Sequence, residues 1–148
     1  MPGRRTKPTF AAAAALVVAL LIAGCGGTEN HTWQGEFTER LEGASAAIEA
    51  RLPELQPSRG RERMDVAGIE LGRTLAFKDS LIKELDPPAG CEELQQKGMG
   101  RVSRLGDLGG DLFKDMTPDL EEALPAPFEE GVERLEELAR AAAHCETG

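Results

Sequence analysis

Three cysteines and two histidines are the side chains of this 148-residue chain best suited to covalent or metal chemistry. Cys25 directly follows an uncharged apolar run, whereas Cys91 and Cys145 lie far along the sequence and suit a disulfide bond. Neither His31 nor His144 follows a glutamate by three residues, as di-iron bundles require, and no Cys-x-x-Cys-His sequence is present for haem. The chain also lacks a Gly-x-Ser-x-Gly sequence and a phosphate-binding loop. We therefore expect no enzyme activity, no cofactor and no metal ion.

The start of the chain has the parts of a secretory signal. A basic segment with Arg4, Arg5 and Lys7 precedes residues 10–23, which carry no charge or polar side chain. A helix over that run would span about 21 Å, short of the roughly 30 Å apolar core of a bilayer. The run therefore predicts export rather than a permanent transmembrane helix.

The apolar run ends in Ile22-Ala23-Gly24-Cys25, which resembles the lipobox of bacterial lipoproteins: a branched aliphatic residue, two small residues and a cysteine. The resemblance implies cleavage before Cys25 and attachment of a diacylglyceryl group to its sulfur. Two or three acyl chains would anchor the protein firmly, where one would be marginal. The alternative is an ordinary secretory signal that happens to contain a cysteine.

This resemblance divides the chain into three parts. Residues 1–24 form a signal peptide, residues 25–31 form the lipidated cysteine with a flexible tether, and residues 32–146 form a helical bundle. The expected location is the cell membrane, with the protein held by lipid on the extracytoplasmic face.

The charge of the remaining chain limits its partners. Without residues 1–24 the chain contains 14 basic and 26 acidic side chains, which give a net charge of −12. Such a surface repels nucleic-acid phosphates and anionic lipid headgroups. We expect no nucleic-acid partner, and any hold on a membrane must come from the lipid anchor.

Helical periodicity dominates the rest of the sequence, because apolar residues recur at steps of three and four. Prolines separate four such segments and interrupt the last one. Short connections between amphipathic helices predict an all-α fold, an antiparallel up-down-up-down four-helix bundle. The apolar stripes comprise Trp33, Phe37, Leu41, Ala44, Ile48, Leu52 and Leu55; Met64, Gly68, Leu71, Leu75, Ile82 and Leu85, widened by Phe77 and Leu81; Leu94, Gly98, Val102, Leu105, Leu108, Leu112 and Met116; and Phe128, Val132, Leu135, Leu138, Ala142 and Cys145.

Five glycines weaken the third segment, at Gly98, Gly100, Gly106, Gly109 and Gly110. Each costs about 0.8–1 kcal/mol relative to alanine in a helix. Either neighbouring helices approach closely over these glycines, or the segment is broken.

The predicted bundle brings Cys91 and Cys145 close together. The third segment would rise about 38 Å from Cys91, and the last would return about 40 Å to Cys145 if it is mostly helical. Antiparallel neighbours of matched length predict a Cys91–Cys145 disulfide in an oxidising compartment. Two unpaired buried thiols are the alternative.

The connections farthest from the lipid have opposite charge. Residues 51–64 contain Arg59, Arg61 and Arg63, while residues 116–130 are acidic. The three arginines are candidate contacts for an envelope protein partner. The alternative is that both connections are solvated loops.

Residues 81–105, a helix that ends at Pro87-Pro88 and a second helix after it, resemble a pattern in small helical lipoproteins of high-GC Gram-positive bacteria. This resemblance implies a location and a fold, and no activity. We expect a non-catalytic interaction or accessory protein of the cell envelope. The alternatives are a binding protein that holds a small apolar or cationic ligand between helices, and self-association through the amphipathic faces.

Overall fold

The computed structural model describes residues 32–145, and all regular secondary structure within them is helical. The predicted signal peptide, the lipobox Ile22-Ala23-Gly24-Cys25 and the tether before residue 32 lie outside the described residues. Two 3₁₀ turns, Leu52–Glu54 and Pro57–Arg59, connect the first two helices. The five α-helices are α1 (Trp33–Arg51), α2 (Arg61–Lys83), α3 (Glu92–Lys114), α4 (Pro118–Ala123) and α5 (Ala126–Cys145).

Prolines determine where the first helices end. The α-helical part of the first segment stops at Arg51, before the predicted end at Leu55, because Pro53 has no N–H for the helical ladder. The following 3₁₀ turn still buries Leu55, whose N–H donates to the carbonyl of Leu52 at 3.1 Å. Helix α2 ends at Lys83, ahead of the Pro87-Pro88 pair.

Helix α4 starts with the local geometry that its sequence predicts. The hydroxyl oxygen of Thr117 accepts a hydrogen bond from the N–H of Leu120 at 3.2 Å, and Pro118 occupies the first helical position. Leu124 and Pro125 then separate α4 from α5. Pro127 lies in the first turn of α5, where a missing N–H breaks no helical hydrogen bond.

The four long helices share one continuous apolar core, a packing compatible with a helical bundle. Helix α2 packs most extensively on α3, α1 packs on α2 and α5, and α3 packs on α5. Most of the predicted stripe is buried. The prediction that Phe77 belongs to the apolar stripe is wrong, since 61% of its surface is exposed. It follows the buried Leu75 by two positions, which turn a side chain by about 200° around a helix.

The glycines of α3 permit close contact with α2, and the helix runs through them without a break. A Cβ atom added to Gly109 would lie 2.8 Å from the carbonyl oxygen of Gly68. A Cβ atom on Gly72 would lie 3.1 Å from the carbonyl oxygen of Gly106. Of the two structures that the sequence left open, close helix packing is therefore the one observed.

A buried hydrogen-bonded chain joins three parts of the fold. Trp33 stacks on Phe37 with ring centroids 4.8 Å apart, as expected for a core residue. The indole N–H of Trp33 donates to the side-chain oxygen of Gln95 at 2.6 Å. The amide nitrogen of Gln95 in turn donates to the carbonyl of Leu85 at 3.0 Å. These bonds satisfy the buried amide, whose burial the apolar pattern could not indicate.

The predicted disulfide between Cys91 and Cys145 is present, with the two Cα atoms 5.7 Å apart. Cys91 is the residue directly before α3, and Cys145 is the last residue of α5. The bond therefore joins the start of one long helix to the end of another.

Candidate interaction surfaces

A shallow groove of about 790 Å³ runs along the outward surface between α2 and α3. Small residues form its floor, because the two helices approach each other over glycines that carry no side chain into the gap. We call this surface the α2–α3 groove. Its lining residues are Ile69, Gly72, Arg73, Ala76, Gly106, Asp107, Gly110, Asp111, Phe113 and Lys114.

Large apolar side chains on or beside the groove face solvent. Phe113 lines the groove with 54% of its surface exposed. Phe77, exposed by 61%, lies one helical turn beyond Arg73 on the same side of α2. Val66, which is 51% exposed, lies outside the groove, in a separate cavity lined by Glu54, Glu62 and Arg63. Exposed apolar side chains along a groove with charged residues around it are typical of a contact surface.

The groove carries balanced charges. Helix α2 contributes Arg73, and α3 contributes Lys114, Asp107 and Asp111. All four side chains are exposed, and none forms an ion pair with another residue between 32 and 145. The two positive and two negative groups therefore remain available to a partner.

Asp79 of α2 adds an acidic group near this surface. Burial raises the pKa of Asp79 above its ordinary value, Lys83 lowers it, and the charge of Asp107 raises it again. The net direction is upward. Its carboxylate also has a buried oxygen with no hydrogen-bond partner among the described residues.

A second groove, of about 450 Å³, lies between α1 and α5. Its charged residues are Glu42, Glu49, Glu136 and Arg140, so its net charge is negative. The hydroxyl oxygen of Thr38, which also lines it, is buried without a hydrogen-bond partner within the described part of the chain. We call this surface the α1–α5 groove.

The predicted partner contacts Arg59, Arg61 and Arg63 lie at the end of the second 3₁₀ turn and the start of α2. All three are exposed, and none pairs with an acidic group of the described residues, those of the 116–130 connection included. Arg51, by contrast, forms ion pairs with Glu54 at 3.5 Å and with Glu70 at 2.5 Å. We call Arg59, Arg61 and Arg63 the arginine cluster.

Two further properties of residues 32–145 bear on function. No three histidine, cysteine, aspartate or glutamate side chains among them come together as ligands for a metal ion. Asp107, Asp111 and Asp115, which follow one another at steps of four residues along and just after α3, are exposed and do not form such a group. In the same part of the chain, no helix combines the length and the apolar character of a membrane span.

Comparison with known proteins yields no relative: no protein-family model matches the chain, and neither the curated proteins nor the solved structures give a significant match.

Proposed function

We propose that this protein is a lipid-anchored helical bundle of the cell envelope that acts as a non-catalytic interaction or accessory protein. Lipid on Cys25 holds it on the extracytoplasmic face of the cell membrane. The basic and apolar start of the chain and the sequence Ile22-Ala23-Gly24-Cys25 support this location. The Cys91–Cys145 disulfide is typical of an oxidising compartment.

The observation that carries the interaction role is the apolar surface of the α2–α3 groove. The core is continuous without Phe77 and Phe113, so neither aromatic ring serves packing inside the bundle. Aromatic side chains are enriched in protein contact surfaces and are costly to leave in water. A partner that covers them would remove that apolar area from solvent.

We also propose the antiparallel up-down-up-down order for the four long helices. Contacts run in opposite directions along α2 and α3, since Gly68 meets Gly109 and Gly72 meets Gly106. In this arrangement Trp33 lies at the end of the bundle that holds the disulfide. Its indole N–H bonds to Gln95, which is only four residues after Cys91. In the sequence the proposed tether, residues 25–31, precedes Trp33 by one residue.

The arginine cluster then lies at the opposite end, away from the membrane. Its unpaired positive charges suit an acidic envelope protein as a second contact. The apolar α2–α3 groove is the stronger surface, because exposed charges contribute little affinity once they are screened by salt.

A second candidate function is the binding of a small cationic ligand between helices. The acidic α1–α5 groove favours it, because Glu42, Glu49 and Glu136 outnumber Arg140 and the hydroxyl of Thr38 lacks a partner among the described residues. Spermidine is a suitable probe. Binding that is lost in the Glu136→Gln variant would favour this function over the interaction role.

The interaction role is tested by photo-crosslinking in native membranes. The photoreactive residue benzoylphenylalanine replaces Phe113 in the α2–α3 groove, and in a control it replaces Glu133, which is exposed on α5. We expect a discrete protein adduct from position 113 and none from position 133, because only the groove is covered by a partner. No adduct above the control at position 113 would contradict the interaction role.

A further inference from the structure

We propose that the partner of the α2–α3 groove is a second copy of this chain, bound as a symmetric dimer. This inference deepens the proposed function and rests on it for the choice of surface. A two-fold dimer places the same patch of both copies in contact, so the patch must be complementary to itself.

The charges of the groove meet this requirement. Each copy presents two cations, Arg73 and Lys114, and two carboxylates, Asp107 and Asp111. A two-fold axis over the groove allows the cations of each copy to approach the carboxylates of the other. The four groups have no ion-pair partner among residues 32–145, so no existing pair has to break.

The other two surfaces would repel their own copies. The α1–α5 groove has three glutamates against one arginine, and the arginine cluster is wholly basic. Two chains that each carry a net charge of −12 without residues 1–24 also repel one another over the rest of their surfaces. The balanced α2–α3 groove is where this repulsion is weakest, although Asp79 beside Asp107 adds a negative group, which Lys83 offsets.

The shape of the groove suits a second copy as well. Its glycine floor is shallow, the exposed ring of Phe113 lines it, and the exposed ring of Phe77 lies one helical turn beyond Arg73 on the same side of α2. In a two-fold arrangement the rings of one copy can cover the floor of the other, which shields apolar surface on both. This contact resembles the close approach that glycines already permit between α2 and α3.

The size of the patch indicates a weak dimer. The groove lining runs from Gly106 to Lys114 along α3, about 12 Å, and two packed helices are about 20 Å wide, so the patch is smaller than the roughly 800 Å² per partner of a typical stable complex. We expect dissociation constants of about 10–100 µM in free solution. Lipid anchoring would favour the dimer by holding the copies at one surface.

Sedimentation equilibrium of residues 26–148 tests the dimer, because this form keeps every described core residue and the disulfide. We expect the wild type to shift from monomer to dimer as its concentration rises. The variants R73E/K114E and D107K/D111K should each stay monomeric alone, since each patch then carries one sign of charge. Mixed in equal amounts, they should form a one-to-one heterodimer.

The control variant R59E/R63E makes the same change in charge as R73E/K114E, but in the arginine cluster. It should dimerise like the wild type. The fluorescence of the single tryptophan, Trp33, which lies in the core, checks that every variant is folded.

Three results would overturn the dimer. One is a wild type that stays monomeric, and the second is a wild-type dimer that both groove variants leave unchanged. The third is a mixture of the two groove variants that fails to associate. If the isolated chain is monomeric but benzoylphenylalanine at position 113 captures a different protein, self-association is wrong and the interaction role stands. If neither a dimer nor an adduct forms, both proposals are wrong.

Discussion

Replacement of Gly109 by alanine is expected to lower the free energy of unfolding by about 1–3 kcal/mol, the range for overpacked sites. The new Cβ atom would lie 2.8 Å from the carbonyl oxygen of Gly68 and 3.2 Å from the backbone nitrogen of Gly72. Both neighbours are backbone atoms, so α2 and α3 must move apart rather than rotate a side chain. The helix propensity of alanine, about 1 kcal/mol better than that of glycine, offsets only part of this loss.

The adjacent glycine provides a matched control. A Cβ atom on Gly110 meets nothing within 4 Å, so Gly110→Ala should raise the free energy of unfolding by about 0.5–1 kcal/mol. Urea unfolding followed by Trp33 fluorescence, at concentrations below those of the proposed dimer, measures both variants. Equal shifts of the same sign for Gly109→Ala and Gly110→Ala would contradict the close contact of α2 with α3.

Loss of the Cys91–Cys145 disulfide is expected to lower the free energy of unfolding by roughly 4 kcal/mol in the chain-entropy model. The bond spans 54 positions of sequence, so it removes a large loop from the unfolded chain. Urea unfolding of residues 26–148 with and without reductant measures the effect.

The double variant Cys91→Ala with Cys145→Ser is the control for this experiment. It should unfold at the same urea concentration as the reduced wild type whether or not reductant is present, because it has no disulfide to break. Two titratable thiols in the native, oxidised form of residues 26–148 would contradict the bond, as would a wild type that reductant does not destabilise.

Simple sequence rules predicted much of the fold. The core positions from Phe37 to Ile48 follow from steps of three and four residues, since only one face of α1 meets the other helices. The cap at Thr117 follows from a hydroxyl before a proline. The disulfide followed from the matched lengths of the helices that carry Cys91 and Cys145.

Features that depend on two segments at once were not predictable in the same way. The apolar pattern offered no sign that Gln95 is buried, because its partners Trp33 and Leu85 come from distant positions in the chain. The α2–α3 groove likewise arises only when glycines of two helices meet. A partial signal existed in Phe113, which falls outside the predicted apolar stripe of its helix although it is large and apolar; Phe77 gave no such signal, because the pattern placed it on the stripe.

The proposed membrane anchor is tested most directly by the mass of the native protein extracted from membranes. We expect a chain that begins at Cys25 and carries a diacylglyceryl group on the sulfur, with no peptide from residues 1–24. A chain recovered from the cytosol with Met1 in place and an unmodified thiol at Cys25 would contradict the lipid anchor and the location that depends on it.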